Sequence, residues 1–322
     1  MVRPRVTVSR RLPPAVEARL QERYDTTLNT TDERMSADAL REALESSDAL
    51  VSTLGDPISG ELLHRCRPRA KIIAHFGVGY DNLDVATARD MGITVTNTPG
   101  VLTEDTADLT IALLLASARR MSEGERELRS GNWTGWRPTH LLGTRLSGKT
   151  LGLVGFGRIA QAVARRARLA FGMQVMAWSR SLTDELASQH DVRRIAALDD
   201  LLRVSDFVSL HVPGNVATRH LIDARRLAIM PAHAHLINTA RGSVVDQAAL
   251  IDTLANHRIA GAGLDVFEQE PMVPADLLAL PNVAAIPHMA SATVESRTAM
   301  GMLVLDNLDA FFAGQHPPNC VN

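Results

Sequence analysis

Short β-branched runs alternate with helical patterns along the whole chain, in two successive sets. No other feature constrains the fold as much. The first strand candidates are 6–9, 49–53, 71–76 and 94–98, with helical stretches at 15–23, 37–44 and 85–91. The second set starts at 150–155 and continues at 174–179, 207–212, 235–239, 262–266 and 283–287, with helical patterns such as 158–171 and 247–257. Alternation of this kind builds parallel sheets covered by helices on both faces, so two sets predict two doubly wound α/β domains. The length of 322 residues suits two domains. An apolar helix at 104–120 lies between the sets, with Thr103 read as its N-cap and Glu104 and Asp105 in its first turn. A last helix, at about 292–312, follows the final strand of the second set. If it returns to pack on the first domain, that domain is discontinuous. The expected division is 1–98 plus 289–322 for one domain and 99–288 for the other.

Composition removes several function classes. A net charge of -2 offers no broad basic surface for nucleic acid or anionic lipid. The two cysteines, Cys66 and Cys320, sit in no CxxC or Cys/His spacing, which weakens disulfide and metal readings. The most apolar run, 109–118, is about half of what a membrane span needs, and the N-terminal apolar stretch is too short for a signal segment. A cytoplasmic location is the expectation. His233 and His235 invite a metal reading, but no further ligand cluster accompanies them, and no metal is expected.

The stretch Leu151-Gly152-Leu153-Val154-Gly155-Phe156-Gly157-Arg158-Ile159-Ala160 reads strand, tight turn, helix. Gly155-x-Gly157-x-x-Ala160 is a dinucleotide fingerprint with Ala in the third place. Gly155 allows the turn, Gly157 lets a pyrophosphate approach, and the helix N-terminus offers N–H donors to it. An NAD enzyme carries Asp or Glu about 20 residues further on, for the ribose 2′-hydroxyl. Here the second strand runs into Ser179-Arg180-Ser181. An arginine suits a 2′-phosphate, so NADP(H) is the expected cofactor and NAD(H) the second option. Gly143-Thr144-Arg145-Leu146-Ser147-Gly148-Lys149-Thr150 matches GxxxxGK[ST], but it precedes a strand instead of following one, so it is not read as a P-loop.

Three later segments each lie at the C-terminal end of a predicted strand, the edge where open parallel sheets bind ligands. They are Asn238-Thr239-Ala240-Arg241-Gly242, Leu264-Asp265-Val266-Phe267-Glu268-Gln269-Glu270-Pro271 and Pro287-His288-Met289-Ala290-Ser291-Ala292-Thr293. Together with 75–84 (HFGVGYDNLD) and 209–213 (SLHVP), they make the chain resemble the D-isomer-specific 2-hydroxyacid dehydrogenases nearly end to end, especially the glyoxylate/hydroxypyruvate reductase branch.

The resemblance implies a Rossmann cofactor domain inserted in a flavodoxin-like substrate domain. It implies NADP(H)-dependent reduction of a small 2-keto acid, glyoxylate or hydroxypyruvate, to the D-2-hydroxy acid. By it, Arg241 holds the substrate carboxylate and polarises the keto oxygen, His288 is the acid/base, and Glu270 pairs with His288. The backbone N–H groups of Val78 and Gly79 complete the carboxylate site, and Leu54 covers the substrate side chain. The candidate cofactor contacts are Gly155, Phe156, Gly157, Arg158 and Ile159, then Ser179, Arg180 and Ser181, then Val212 and Pro213. Thr239, Ala240, Arg241, Asp265, His288 and Ala290 complete the set, with Asp265 orienting the nicotinamide end. Ala290 replaces the glycine of the family's PHxGS pattern, which puts local packing in question. Glu268 is the rival carboxylate, and His211 is expected to pack near the cofactor. Trp133, Trp136 and Arg137 are candidates to line the cleft, and the tryptophans equally to serve packing. A homodimer is implied, with its interface near the helix that starts at Thr103, and so is closure on hinges near 98–101 and 287–290.

Elementary chemistry agrees with these roles. Reduction of a 2-keto acid needs a hydride on carbon and a proton on oxygen. A histidine beside a carboxylate can exchange the proton, and planar arginine matches the substrate carboxylate. Two alternatives stay open: a phosphoglycerate dehydrogenase-like enzyme, and a non-catalytic dinucleotide-sensing corepressor of the same fold.

Overall fold

The computed structural model describes residues 3–322. The chain divides into two compact units, one comprising residues up to Leu102 together with Ser291–Asn322, the other Thr103–Ala290.

The first unit is a five-stranded sheet of β1 (Arg5–Val8), β2 (Asp25–Thr27), β3 (Ala49–Thr53), β4 (Ile72–Phe76) and β5 (Thr94–Thr96), in the order β2-β1-β3-β4-β5. Every neighbouring pair is parallel, and this is the flavodoxin-like order. Alternate side chains feed two cores, as a pleat of period two requires. Val6, Val8, Val51, Ile72 and Ala74 face one side, while Leu50, Ile73 and Val95 face the other. The first core is closed by the helix Val294–Phe312, which lays Met300, Val304, Leu305 and Leu308 against the sheet. Thr293 caps that helix through the Ser296 N–H.

The second unit is a seven-stranded sheet. Its strands are β6 (Thr150–Val154), β7 (Gln174–Trp178), β8 (Arg193–Arg194), β9 (Phe207–Leu210), β10 (His235–Asn238), β11 (Gly261–Leu264) and β12 (Val283–Ala285). The order is β12-β11-β10-β9-β6-β7-β8, all parallel, with the reversal of direction between β6 and β9. This is a Rossmann-type sheet, and its ligand edge lies at that switch point. The helix Arg158–Phe171 buries a stripe of small residues, Ala160, Ala162, Val163, Ala164 and Ala167, and ends at Gly172 in the left-handed conformation.

Three details depart from the sequence reading. Strands β2 and β8 were invisible to an apolar pattern, because both are short, polar edge strands. The helix expected at 104–120 begins at Thr103 itself, so Thr103 is not an N-cap. It ends at Ala118, and left-handed Arg120 starts a separate helix, Met121–Arg129. Trp136 is 82% exposed and Trp133 51%, so neither tryptophan serves as packing within this chain. Among the described residues, no helix is long and apolar enough to cross a membrane.

Candidate active site

The C-terminal edge of the Rossmann-type sheet carries the glycine turn, Arg241, Glu270 and His288, while Leu54, Val78 and Gly79 belong to the first unit. Gly155 follows β6 with φ +94, and a methyl group there would collide with the carbonyl of His211 at the end of β9. Only glycine lets these two strand ends approach and the chain turn into the next helix. Around Gly157, in contrast, a methyl would meet no atom within 4 Å, so this face of the turn is open to a ligand. No side chain caps the N-terminus of the helix that follows, which leaves its N–H groups for an anion. These features fit a dinucleotide pyrophosphate, with Gly155, Phe156, Gly157, Arg158 and Ile159 as the cradle. Ser179 and Ser181 hydroxyls lie 3.4 Å apart just beyond β7. Arg180, between them, is exposed and forms no ion pair among the described residues. The nearest acid along the chain, Asp184, is engaged by Arg194 at 3.3 Å.

The turn after β10 is clamped by a buried amide. Asn238 donates through Nδ2 to the Arg241 carbonyl (2.9 Å) and accepts the Ala240 N–H (3.0 Å). The Thr239 hydroxyl meets Thr110 Oγ1 at 2.9 Å. Thr110 itself donates to the Thr106 carbonyl, so Thr239 is the donor to Thr110. Arg241 donates to the Ala240 carbonyl at 2.9 Å. Gly242 packs so closely on Phe267 and Glu268 that a methyl group would overlap their backbone. The element carrying Arg241 and the loop carrying Glu270 are thereby fixed against each other.

His288 sits just past β12 in the left-handed region, φ +48, a costly conformation for a residue with a β-carbon. Fully buried Asp265 holds it there. Its carboxylate accepts the N–H groups of Met289 (2.6 Å) and Ala290 (3.0 Å), and its carbonyl accepts that of His288 (2.8 Å). Burial pushes the Asp265 carboxyl up from its ordinary value, against the pull of these donors. Its two oxygens are thus committed to the loop that displays His288. Ala290 is itself buried, so the methyl that replaces the usual glycine is accommodated.

His288 Nδ1 lies 2.7 Å from Glu270 Oε2, and Glu270 Oε1 accepts the Phe267 N–H at 3.0 Å. Burial acts to raise the Glu270 carboxyl. The His288 hydrogen bond and charge, the Phe267 N–H and the Arg241 charge outweigh it and hold the group below its usual range. An ionised carboxylate only accepts, so Nδ1 carries a proton and Nε2 is free of protein partners among the described residues. The rival carboxylate, Glu268, is occupied elsewhere: it binds His220 Nε2 (2.7 Å) and Arg219 (3.0 Å). The nearby histidines also have other work. His211 Nε2 meets Ser209 Oγ at 2.9 Å, and His235 stacks on Phe207 while its Nδ1 meets Ser117 at 2.8 Å. His233 faces Asp206. Sequence reasoning missed the clamping roles of Asn238 and Asp265 and the Arg219–His220–Glu268 cluster. Asn238 stood inside a recognised motif, but nothing in its spacing announced a clamp.

Residues 111–290 match the model of the D-isomer-specific 2-hydroxyacid dehydrogenase NAD-binding domain. The glyoxylate reductase of Korarchaeum cryptofilum is 46% identical over all of this chain and 96% of its own length. That of Thermococcus litoralis is 46% identical over all of this chain and 97% of its own. The chain belongs to the D-isomer-specific 2-hydroxyacid dehydrogenase family. It is an NAD(P)-dependent oxidoreductase of the glyoxylate reductase branch. A solved relative, the NADPH-dependent glyoxylate/hydroxypyruvate reductase of Sinorhizobium meliloti in complex with NADP and malonate, superposes with a TM-score of 0.87 at 39% identity, covering 99% of this dehydrogenase and 97% of that chain.

Proposed function

We propose that this dehydrogenase reduces a small 2-keto acid, glyoxylate or hydroxypyruvate, to the D-2-hydroxy acid with NADP(H) as the preferred cofactor. The observation that carries the reading is the 2.7 Å contact between His288 Nδ1 and Glu270, which leaves Nε2 for a reacting oxygen. The chemistry a bound nicotinamide dinucleotide supplies is a hydride to the keto carbon. His288 gives its Nε2 proton to the keto oxygen, completing the hydroxy acid, and Glu270 stabilises the imidazolium. In oxidation His288 takes the proton back. Arg241 binds the substrate carboxylate and polarises the carbonyl. The N–H groups of Val78 and Gly79 in the first unit serve the same carboxylate, and Leu54 covers a small side chain. Val212, Pro213, Thr239, Ala240, Asp265 and Ala290 complete the cofactor's protein surroundings. Unpaired Arg180, flanked by two serines, favours a 2′-phosphate.

We further place the enzyme in the cytoplasm as a homodimer. Support for the dimer comes from exposed Trp133, Trp136 and Leu142 in the segment after Met121–Arg129. Light scattering that returns the mass of one subunit would refute it.

The deciding experiment is a steady-state screen of glyoxylate, hydroxypyruvate and one bulkier 2-keto acid with NADPH and NADH, on the wild type and Arg180→Asp. The highest kcat/KM is expected with a small acid and NADPH. Arg180→Asp should lower the NADPH/NADH ratio of kcat/KM by about tenfold or more. An unchanged ratio removes the cofactor assignment. Dinucleotide binding without turnover of any 2-keto acid favours the corepressor reading.

A further inference from the structure

We propose that His75 is a positioning residue that holds the Val78–Gly79 turn open as the carboxylate-binding element of the first unit. This deepens the reading above and rests on it. His75 is fully buried at the end of β4. Its Nε2 lies 3.1 Å from the Gly79 carbonyl, four residues on, and its Nδ1 lies 3.0 Å from Ser52 Oγ on β3. A carbonyl can only accept, so Nε2 carries the proton; in the neutral ring Nδ1 accepts from the Ser52 hydroxyl.

The ring is one of several ties on the same turn. Thr98 N–H donates to the Gly77 carbonyl at 2.9 Å, and Asn97 Nδ2 to the Val78 carbonyl at 2.9 Å. With the His75 bond, three successive carbonyls, of residues 77, 78 and 79, are all drawn toward protein donors. The N–H groups of Val78 and Gly79 donate to no protein acceptor among the described residues. A turn whose carbonyls are tied back and whose N–H groups are left over is an anion-binding concavity. Lack of a side chain at Gly77 lets the ring in. A β-carbon there would stand 2.7 Å from His75 Nε2 and 3.2 Å from Leu54 Cδ2. His75, Gly77 and Leu54 are therefore packed as one unit, which links the carboxylate turn to the residue assigned to cover the substrate side chain.

A buried histidine that merely fills the core would affect stability and every kinetic constant together. A positioning role predicts a split between them. His75→Phe keeps a ring but loses both hydrogen bonds. It should raise the KM for glyoxylate by about tenfold and leave the KM for NADPH within about twofold. Hydrogen–deuterium exchange over residues 77–80 should accelerate. His75→Gln, whose amide can donate to Gly79, should bring the glyoxylate KM back to within about threefold of wild type. If His75→Phe does not fold, Ser52→Ala carries the same KM test with a smaller rise. An unchanged glyoxylate KM, or a parallel rise in both KM values, overturns the proposal. Should the wild type fail to reduce glyoxylate, the reading of the reaction falls first. Exchange then decides the rest: unaltered rates at 77–80 in His75→Phe overturn the anchoring as well, and faster rates uphold it.

Discussion

Two histidine–carboxylate pairs use glutamates of the same loop and look almost alike. His220 meets Glu268 and His288 meets Glu270, each at 2.7 Å, and both histidines have φ +48. They differ in what is left over. Glu268 shares one oxygen between His220 and Arg219, and the contact consumes His220 Nε2. Glu270 takes His288 through Nδ1 and so presents Nε2 outward. One pair is a brace that fixes the loop between β11 and β12. The other joins that loop, through Glu270, to His288 beyond β12, and it is the pair proposed above to transfer the proton. A short distance between an imidazole and a carboxylate does not make an acid/base; the nitrogen left over, and what the loop holds it against, decide.

The largest expected effect comes from deleting the imidazole itself. His288→Ala should lower kcat by about 10²- to 10⁴-fold while NADPH still binds, measured by turnover and by titration of cofactor fluorescence. Retained turnover would mean that the proton comes from elsewhere. Glu270→Gln should act less strongly, reducing kcat by about tenfold, because the ring stays but loses the partner of its protonated form. Glu268→Gln should be smallest, within about threefold in kcat, with loss of thermal stability as its main effect, since it loosens a partly buried brace. An inverted order for the two glutamates would exchange their roles.

Much of this arrangement was legible in the sequence, for physical reasons. Strand–helix alternation, the Gly155–Ala160 turn and the three strand-end segments are local patterns, and local patterns survive without coordinates. Parallel strands buried on both faces, such as Ile72–Phe76, announce themselves by apolar runs. Polar edge strands, such as Asp25–Thr27 and Arg193–Arg194, do not. Local pattern alone does not separate Glu268 from Glu270, two residues apart on one loop; the family resemblance is what assigned Glu270. In the structure the separation depends on where His220 arrives, 48 positions away. The same holds for Asp265, which looks like a ligand-facing acid by its place at a strand end. Its carboxylate is committed to the backbone that forces His288 into a left-handed conformation. Thr103 was misplaced by one position because a threonine before two acids reads equally well as a cap and as a first helical residue.

The most direct test of the central claim is the pH profile of kcat/KM for glyoxylate reduction in wild type, Glu270→Gln and Glu268→Gln. In the proposed mechanism reduction needs the protonated imidazole, and the Glu270 carboxylate, held below its ordinary value of 4.5, stays charged and available to pair with it. Removing its charge should move the pH above which reduction falls to a lower value, while the Glu268→Gln profile overlays the wild type. A Glu270→Gln profile that overlays the wild type, or a shift confined to Glu268→Gln, would contradict the account.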